Sequence, residues 1–184
     1  GTILEAKNIV IATGSKPRPL PIPGAEHMVT SDDILSEREQ PSELVFIGGG
    51  VIAMEFSHVY ARAGTKVTIL EAMPQLLPRM DSDAVAAIQA ESERIGVTVK
   101  TGVNVKSIGQ DGDRLTVTFE HDGAEQTLTA DRVVNGAGRV ANVDTLDLEA
   151  GNVTHDGVSV AVDEYLRSTS NPSVWVCGDA LVTS

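Results

Sequence analysis

Leu44-Val45-Phe46-Ile47-Gly48-Gly49-Gly50-Val51-Ile52-Ala53 is the stretch on which the fold turns. Its first four residues are large and apolar, as in a strand buried on both faces. Three glycines follow at once. From Ile52 the apolar residues Ile52, Phe56, Val59 and Ala63 recur at helical spacing, which predicts a helix seated on that face and stopped by Gly64. Lys66-Val67-Thr68-Ile69-Leu70 is the next strand, and it ends at Glu71. Strand, glycine turn, helix and strand make one βαβ unit.

Gly48-x-Gly50-x-x-Ala53 fits the G-x-G-x-x-G/A dinucleotide pattern, and each position has a physical task. Gly48 permits the tight turn out of the strand. Gly50 lacks a Cβ, so a pyrophosphate can come close to the backbone. Ala53 is small enough for the helix to sit against the sheet. Gly49 completes the turn, and the helix starting near Val51 and Ile52 points its free N–H groups and positive dipole end at the phosphates. Glu71 lies 21 residues beyond Gly50, close to the ~20 expected of a ribose-binding carboxylate. Two ribose hydroxyls can donate to it, whereas a 2′-phosphate is repelled. No Arg or Lys stands between Glu71 and Arg79 to hold such a phosphate. The expected ligand is NADH, with NADPH disfavoured. A tight turn beside an incidental surface glutamate is the plainer alternative, but it leaves the ordered set of strand, turn, helix and carboxylate unexplained.

Working outward, Asp81-Ser82-Asp83 caps a second helix to about Ile95, and Val97–Lys100 is a third parallel strand. Val103–Ile108, Arg114–Glu120 and Gln126–Thr129 read as an antiparallel meander, broken at Gly109-Gln110-Asp111-Gly112 and at Asp122-Gly123. Arg132-Val133-Val134 returns as a strand into Gly136-Ala137-Gly138-Arg139. At the amino end, residues 7–12 form a buried strand. Pro17, Pro19, Pro21 and Pro23 then predict a stiff, extended connector, followed by a short helix over 31–35. At the carboxyl end, Val174-Trp175-Val176-Cys177-Gly178-Asp179 is an apolar strand delivering an acid. The fold class expected is α/β: a Rossmann-type parallel sheet with an antiparallel meander, flanked by pieces of a second domain.

The chain has 184 residues and a net charge of -12. A surface this acidic repels nucleic acid and anionic membrane, so neither is an expected partner. No apolar run approaches the ~20 residues of a membrane span. The single Cys177 excludes an internal disulfide, and a cytoplasmic location is expected. There is no initiator Met, so the chain is expected to be a portion of a longer one. Cys177 reads as a buried core thiol. Glu55-x-x-His58 has the spacing of a di-iron ligand pair, but no second pair exists and no metal is expected. Asn152-Val153-Thr154 is a glycosylation sequon without any sign of secretion, and Tyr60 and Tyr165 lack the Lys of a Tyr-x-x-x-Lys pair.

Taken in order, Ile9-Val-Ile-Ala-Thr-Gly-Ser15, Gly48-Gly-Gly-Val-Ile-Ala-Met-Glu-Phe56, Gly138-Arg-Val-Ala-Asn142 and Cys177-Gly-Asp179 resemble the pyridine nucleotide-disulfide oxidoreductase family. The resemblance covers essentially the whole chain. It implies an NAD(P)H-binding domain over 30–141, inserted in an FAD domain represented by 1–29 and 142–184. It further implies that Thr13, Gly14 and Asp179 contact FAD, that Gly138 lies beside the nicotinamide nucleotide, and that Glu55 faces the flavin–nicotinamide junction. Val51 stands where glutathione reductases carry a lid Tyr and dihydrolipoamide dehydrogenases often an aliphatic residue, which favours NADH. Ala141 replaces the family's usual Pro.

The first FAD fingerprint, the redox cysteine pair and the His–Glu pair of the dimerisation domain are absent from these residues. The resemblance therefore implies a portion without catalytic residues, inert alone, whose partners are the nicotinamide dinucleotide and the missing FAD and dimerisation domains, homodimeric at full length. Two alternatives stay open: an NADH oxidase or ferredoxin-reductase-like flavoenzyme without a redox disulfide, and a non-catalytic NADH-sensing module.

Overall fold

A computed structural model describes residues 2–157 and 159–181; residues 1, 158 and 182–184 of the expected flanking segments lie outside the described residues. In chain order the elements are β1 (Ile9–Ile11), β2 (Ser15–Pro17), α1 (Ser31–Ser36), β3 (Glu43–Ile47), α2 (Val51–Arg62), β4 (Lys66–Leu70) and α3 (Ser82–Arg94). There follow β5 (Thr98–Lys100), β6 (Asn104–Asp111), β7 (Arg114–His121), β8 (Ala124–Ala130), β9 (Arg132–Asn135), β10 (Arg139–Ala141) and β11 (Val174–Val176). They divide into two compact units, Arg18–Gly138 and the described residues of 1–17 with 139–184.

In the first unit four parallel strands lie in the order β5-β4-β3-β9, the Rossmann arrangement whose order reverses between β3 and β9. The apolar run Leu44–Ile47 is explained by the pleat, because successive side chains point to opposite faces. Leu44 and Phe46 join Val67, Ile69 and Val134 in a core under the helices. Val45 and Ile47 join Val133, Val117 and Phe119 in a second core under the meander. Full burial of each such side chain stabilises the fold by about 1.5–3 kcal/mol. Asp81 caps α3 by accepting the Asp83 and Ala84 N–H groups, and Thr30 and Asp33 form a reciprocal capping box on α1. α1 ends at Ser36, well before Pro41.

Two expectations need correction. On α2 Phe56 packs half-buried on the core as expected, but the buried positions are Ala53, Met54 and Ser57, and Val59 is 64% exposed. Ala53 and Ser57 are buried because the helix docks closely there, where only small side chains fit between it and the sheet. β6 continues through Gly109-Gln110-Asp111, which pair with Thr116, Leu115 and Arg114, so the break reduces to Gly112-Asp113. The other turn is as expected, with Asp122 and Gly123 both at positive φ, the requirement of a two-residue type I′ hairpin. The proline-rich connector is, beyond the expected stiffness, held along its length. Leu20, Ile22 and Met28 pack on the second core, Ala25–His27 forms one 3-10 turn, and Val29 bridges to Val134 and covers the outer edge of β9.

An ion-pair network ties β7 to the start of the parallel sheet. Arg114 donates to Glu43 and, at 2.8 Å, to Asp131. The second Asp131 oxygen accepts the Ser42 and Glu43 N–H groups, and Lys66 pairs with Glu43 at 2.8 Å. The Lys66 ammonium, then Arg114, holds the Glu43 carboxyl below its usual value, and the Glu43 N–H does the same for Asp131. Both folded-state values lie below the unfolded ones, so this stabilisation is present above pH 4–5 and is lost as pH falls through the folded-state values. Denaturant unfolding between pH 7 and 3 should show stability declining only at the acid end, with a shallower decline in Arg114→Met. Parallel declines would remove Arg114 from the titration.

In the second unit β1 runs parallel to β11, pairing Ile9 with Val174 and Ile11 with Val176, and β2 runs antiparallel to β10. The expected buried strand is buried only at Ile11, since Ile9 and Val10 are 53% and 62% exposed. β1 has a single strand neighbour among the described residues. Cys177 is a half-buried free thiol beyond the end of β11, not a core residue.

Candidate nucleotide-binding site

The glycine turn of the first unit is built by close backbone contact. Gly48 has φ +99°, and its N–H donates to the Leu70 carbonyl at 2.8 Å. A Cβ there would lie 2.4 Å from the Gly136 carbonyl oxygen, and a Cβ on Gly136 would lie 2.7 Å from that of Gly48. The C-terminal ends of β3 and β9 thus meet glycine to glycine. Gly49 faces the other way. A Cβ on it would strike the Leu76 side chain at 2.4 Å, its N–H donates to Glu71 Oε2 at 2.5 Å, and its carbonyl accepts the Leu77 N–H at 3.0 Å.

Gly50 differs from both neighbours. Its φ is -76°, an ordinary value, and the nearest protein atom to a Cβ on it would be the Gly136 oxygen at 3.4 Å. The space beside it is open to a ligand. The first helical bond of α2 runs from the Met54 N–H to the Gly50 carbonyl. The N–H groups of Val51, Ile52 and Ala53 therefore have no acceptor within the helix and present its positive end. Val51 is 51% exposed, Ile52 half-buried, Ala53 fully buried and Glu55 exposed. This is how a chain of net charge -12 can receive an anion.

Glu71 follows β4 directly, beside that turn, and is only 7% exposed. Its two oxygens accept the Gly49 N–H and, at 2.7 Å, the Met73 N–H. The carboxylate therefore holds the glycine turn and the 72–80 loop together, a role the spacing did not disclose. Each oxygen has two acceptor positions, so capacity remains for hydroxyl donors. Leu77 sits at φ +46° to reach Gly49, a backbone cost that sequence reading missed. Gly138, at φ +96°, is exposed at the end of the opposite wall.

The second unit gathers the other expected residues. Thr13 and Gly14 follow β1, and Gly178-Asp179-Ala180 forms a 3-10 turn after β11, so all lie beyond the carboxyl ends of two parallel strands. Such ends are where open α/β sheets bind ligands. The Gly14 carbonyl accepts the Asn142 N–H at 2.9 Å. Ser15 donates its hydroxyl to Asp179 at 3.2 Å and accepts from Arg139 Nε at 2.7 Å. Ser15 and Arg139 were not anticipated; each adjoins a motif residue, which was the available signal.

His58 is turned toward α3, where its Nε2 meets the Ser92 hydroxyl at 2.8 Å. That hydroxyl donates to the Ile88 carbonyl, so His58 is the donor. Among the described residues no group of three His, Cys, Asp or Glu has the geometry of a metal site, and no helix is long and apolar enough to cross a membrane.

Residues 1–184 match the sequence profile of the pyridine nucleotide-disulphide oxidoreductases. A dihydrolipoyl dehydrogenase of Mycobacterium bovis is 36% identical over 174 residues, which are 94% of this chain and 37% of that protein. One of Acholeplasma laidlawii is 36% identical over 185 residues, 97% of this chain and 53% of that protein. The solved Cu(II) complex of HOCl-induced flavoprotein disulfide reductase RclA from Escherichia coli superposes with a TM-score of 0.85 at 31% identity, over 95% of this chain and 39% of that one. The chain spans between 37% and 53% of the lengths of these proteins.

Proposed function

The chain belongs to the pyridine nucleotide-disulphide oxidoreductase family, and we propose that it is the NADH-binding portion of an FAD-dependent enzyme that passes a hydride from NADH to FAD and on to a disulfide-type acceptor. In this reading residues 30–141 are the nucleotide domain and 1–29 and 142–184 belong to the FAD domain. The remaining FAD and dimerisation domains complete a cytoplasmic homodimer, and these residues alone are inert.

The observation that carries the reading is the carboxylate of Glu71, fixed beside an open helix N-terminus. Gly50 leaves room for the pyrophosphate, the Val51–Ala53 N–H groups receive its charge, and Glu71 accepts the ribose hydroxyls. Gly49 contributes by holding Glu71 in place. Val51, Glu55 and Gly138 stand at the nicotinamide end. Thr13, Gly14 and Asp179 hold the flavin nucleotide, with Asp179 oriented by Ser15. The bound nucleotide supplies the hydride; what these residues supply is binding and orientation.

Calorimetric titration of the chain with NADH and NADPH tests this. NADH is expected to bind about tenfold more tightly than NADPH, the effect of one charge-assisted hydrogen bond gained against repulsion of the 2′-phosphate. Equal binding, or none, overturns the assignment to NADH, and dye reduction by the chain with NADH overturns its inertness.

A further inference from the structure

Asn135 ends β9 directly opposite Ile47, at the point where the strand order reverses. The two residues before it, Val133 and Val134, are fully buried, and packing gives no reason for an amide to follow them. Both poles of that amide are engaged. Its Oδ1 accepts the Ala137 N–H at 3.1 Å, and its Nδ2 donates to the Arg18 carbonyl at 2.8 Å. Arg18 in turn donates its N–H to the Gly138 carbonyl at 2.9 Å. One side chain and one main-chain bond therefore tie residues 135–138 to the connector in a closed ring.

The loop so held is the wall facing Gly48–Gly50. Gly136 and Gly48 approach so closely that neither could carry a Cβ, so no side chain spaces the two walls. The spacing must come from hydrogen bonds. The Gly136 N–H to the Ile47 carbonyl, 2.8 Å, fixes the loop on the strand side, and the Asn135 amide fixes it on the connector side. A turn-forming role alone would need only the Oδ1 acceptor, which Asp or Ser also offers. The donor to Arg18 is what an amide adds.

We propose that Asn135 is a positioning residue that sets the nicotinamide-side wall of the crevice, holding Ala137 and Gly138 at the separation from the glycine turn that a dinucleotide requires. This rests on the NADH reading above. The test compares wild type, Asn135→Ala and Asn135→Ser for NADH affinity by calorimetry and for 5′-AMP affinity by NMR titration, with thermal melts alongside. AMP occupies only the Glu71 end, so a wall at the nicotinamide end should not affect it.

Asn135→Ala is expected to weaken NADH about 3- to 10-fold, the loss of one to two hydrogen bonds, while leaving AMP within about twofold. Exchange of the Ala137 amide should quicken, and Ser, which can still accept that N–H, should recover part of the loss. Unchanged NADH affinity in Asn135→Ala, or NADH and AMP weakened together with a lowered melt, overturns the proposal while the NADH reading stands. A wild-type chain that binds no NADH overturns the reading and the role with it.

Discussion

Gly48→Ala is expected to unfold the nucleotide unit's sheet terminus and abolish NADH binding, whereas Gly50→Ala, two residues on, should abolish binding and leave the fold intact. At Gly48 a Cβ has nowhere to go. It lies 2.4 and 2.5 Å from main-chain atoms of Gly136 and Ala137, which cannot rotate away as a side-chain end could, and the φ of +99° is unfavourable to any L side chain. Left-handed backbone and overpacking together cost about 2–5 kcal/mol, a large part of the stability of a domain this size. At Gly50 the backbone conformation is ordinary and the nearest protein atom is 3.4 Å away, so the only thing a methyl group displaces is a ligand. Thermal melts and NADH titrations of both variants decide the matter. A Gly50→Ala protein that binds NADH like wild type would show that the pyrophosphate does not lie there. A Gly48→Ala protein as stable as wild type would show that the two strand ends are further apart than the structure places them.

The contrast between these glycines marks where sequence reading stops. Both occupy the fingerprint, and spacing alone assigned Gly48 to the turn and Gly50 to the ligand. What Gly48 turns against is Gly136, 88 residues away in sequence (136 − 48), and local patterns do not report a contact of that range. The apolar run Leu44–Ile47 was legible because a pleated strand between two cores needs every position apolar. The inward face of α2 was legible at Phe56 but not at Ala53 and Ser57, because helical periodicity ranks residues by hydrophobicity while close docking at those two positions selects by size. Asp122-Gly123 was readable from turn chemistry alone. By contrast, Gln110 and Asp111, polar and next to Gly109, look like a loop, and only their partners Leu115 and Arg114 make them strand. The residues missed at the site share one property: Asn135, Ser15, Arg139 and Leu77 act through main-chain or long-range hydrogen bonds, and only Ser15 and Arg139 had any signal in sequence, as neighbours of motif residues.

Glu71 shows how such a bond changes the meaning of a mutation. From spacing alone, Glu71→Arg would remove a ribose acceptor and with it the preference for NADH. In the structure the side chain is 7% exposed and accepts two main-chain N–H groups. An arginine there has no acceptor to offer Gly49 or Met73, and it would bury a charge without a partner. Stranding a buried donor costs about 1–3 kcal/mol, and an uncompensated charge about 3–5 kcal/mol. Glu71→Arg should therefore release the 72–80 loop from the glycine turn and lose affinity for both nucleotides. Glu71→Gln is the informative change, since its carbonyl oxygen can keep one of the two N–H groups while the negative charge is gone. Its expected result is a melt lowered by a few degrees, NADH weakened about tenfold, NADPH little altered, and the preference between them nearly erased. If Glu71→Gln kept the full preference for NADH, discrimination would lie elsewhere in the loop, and the carboxylate would be a purely structural clasp. If Glu71→Arg bound NADPH tightly in a stable fold, the side chain would have to swing out to solvent, and the clasp seen here would be dispensable.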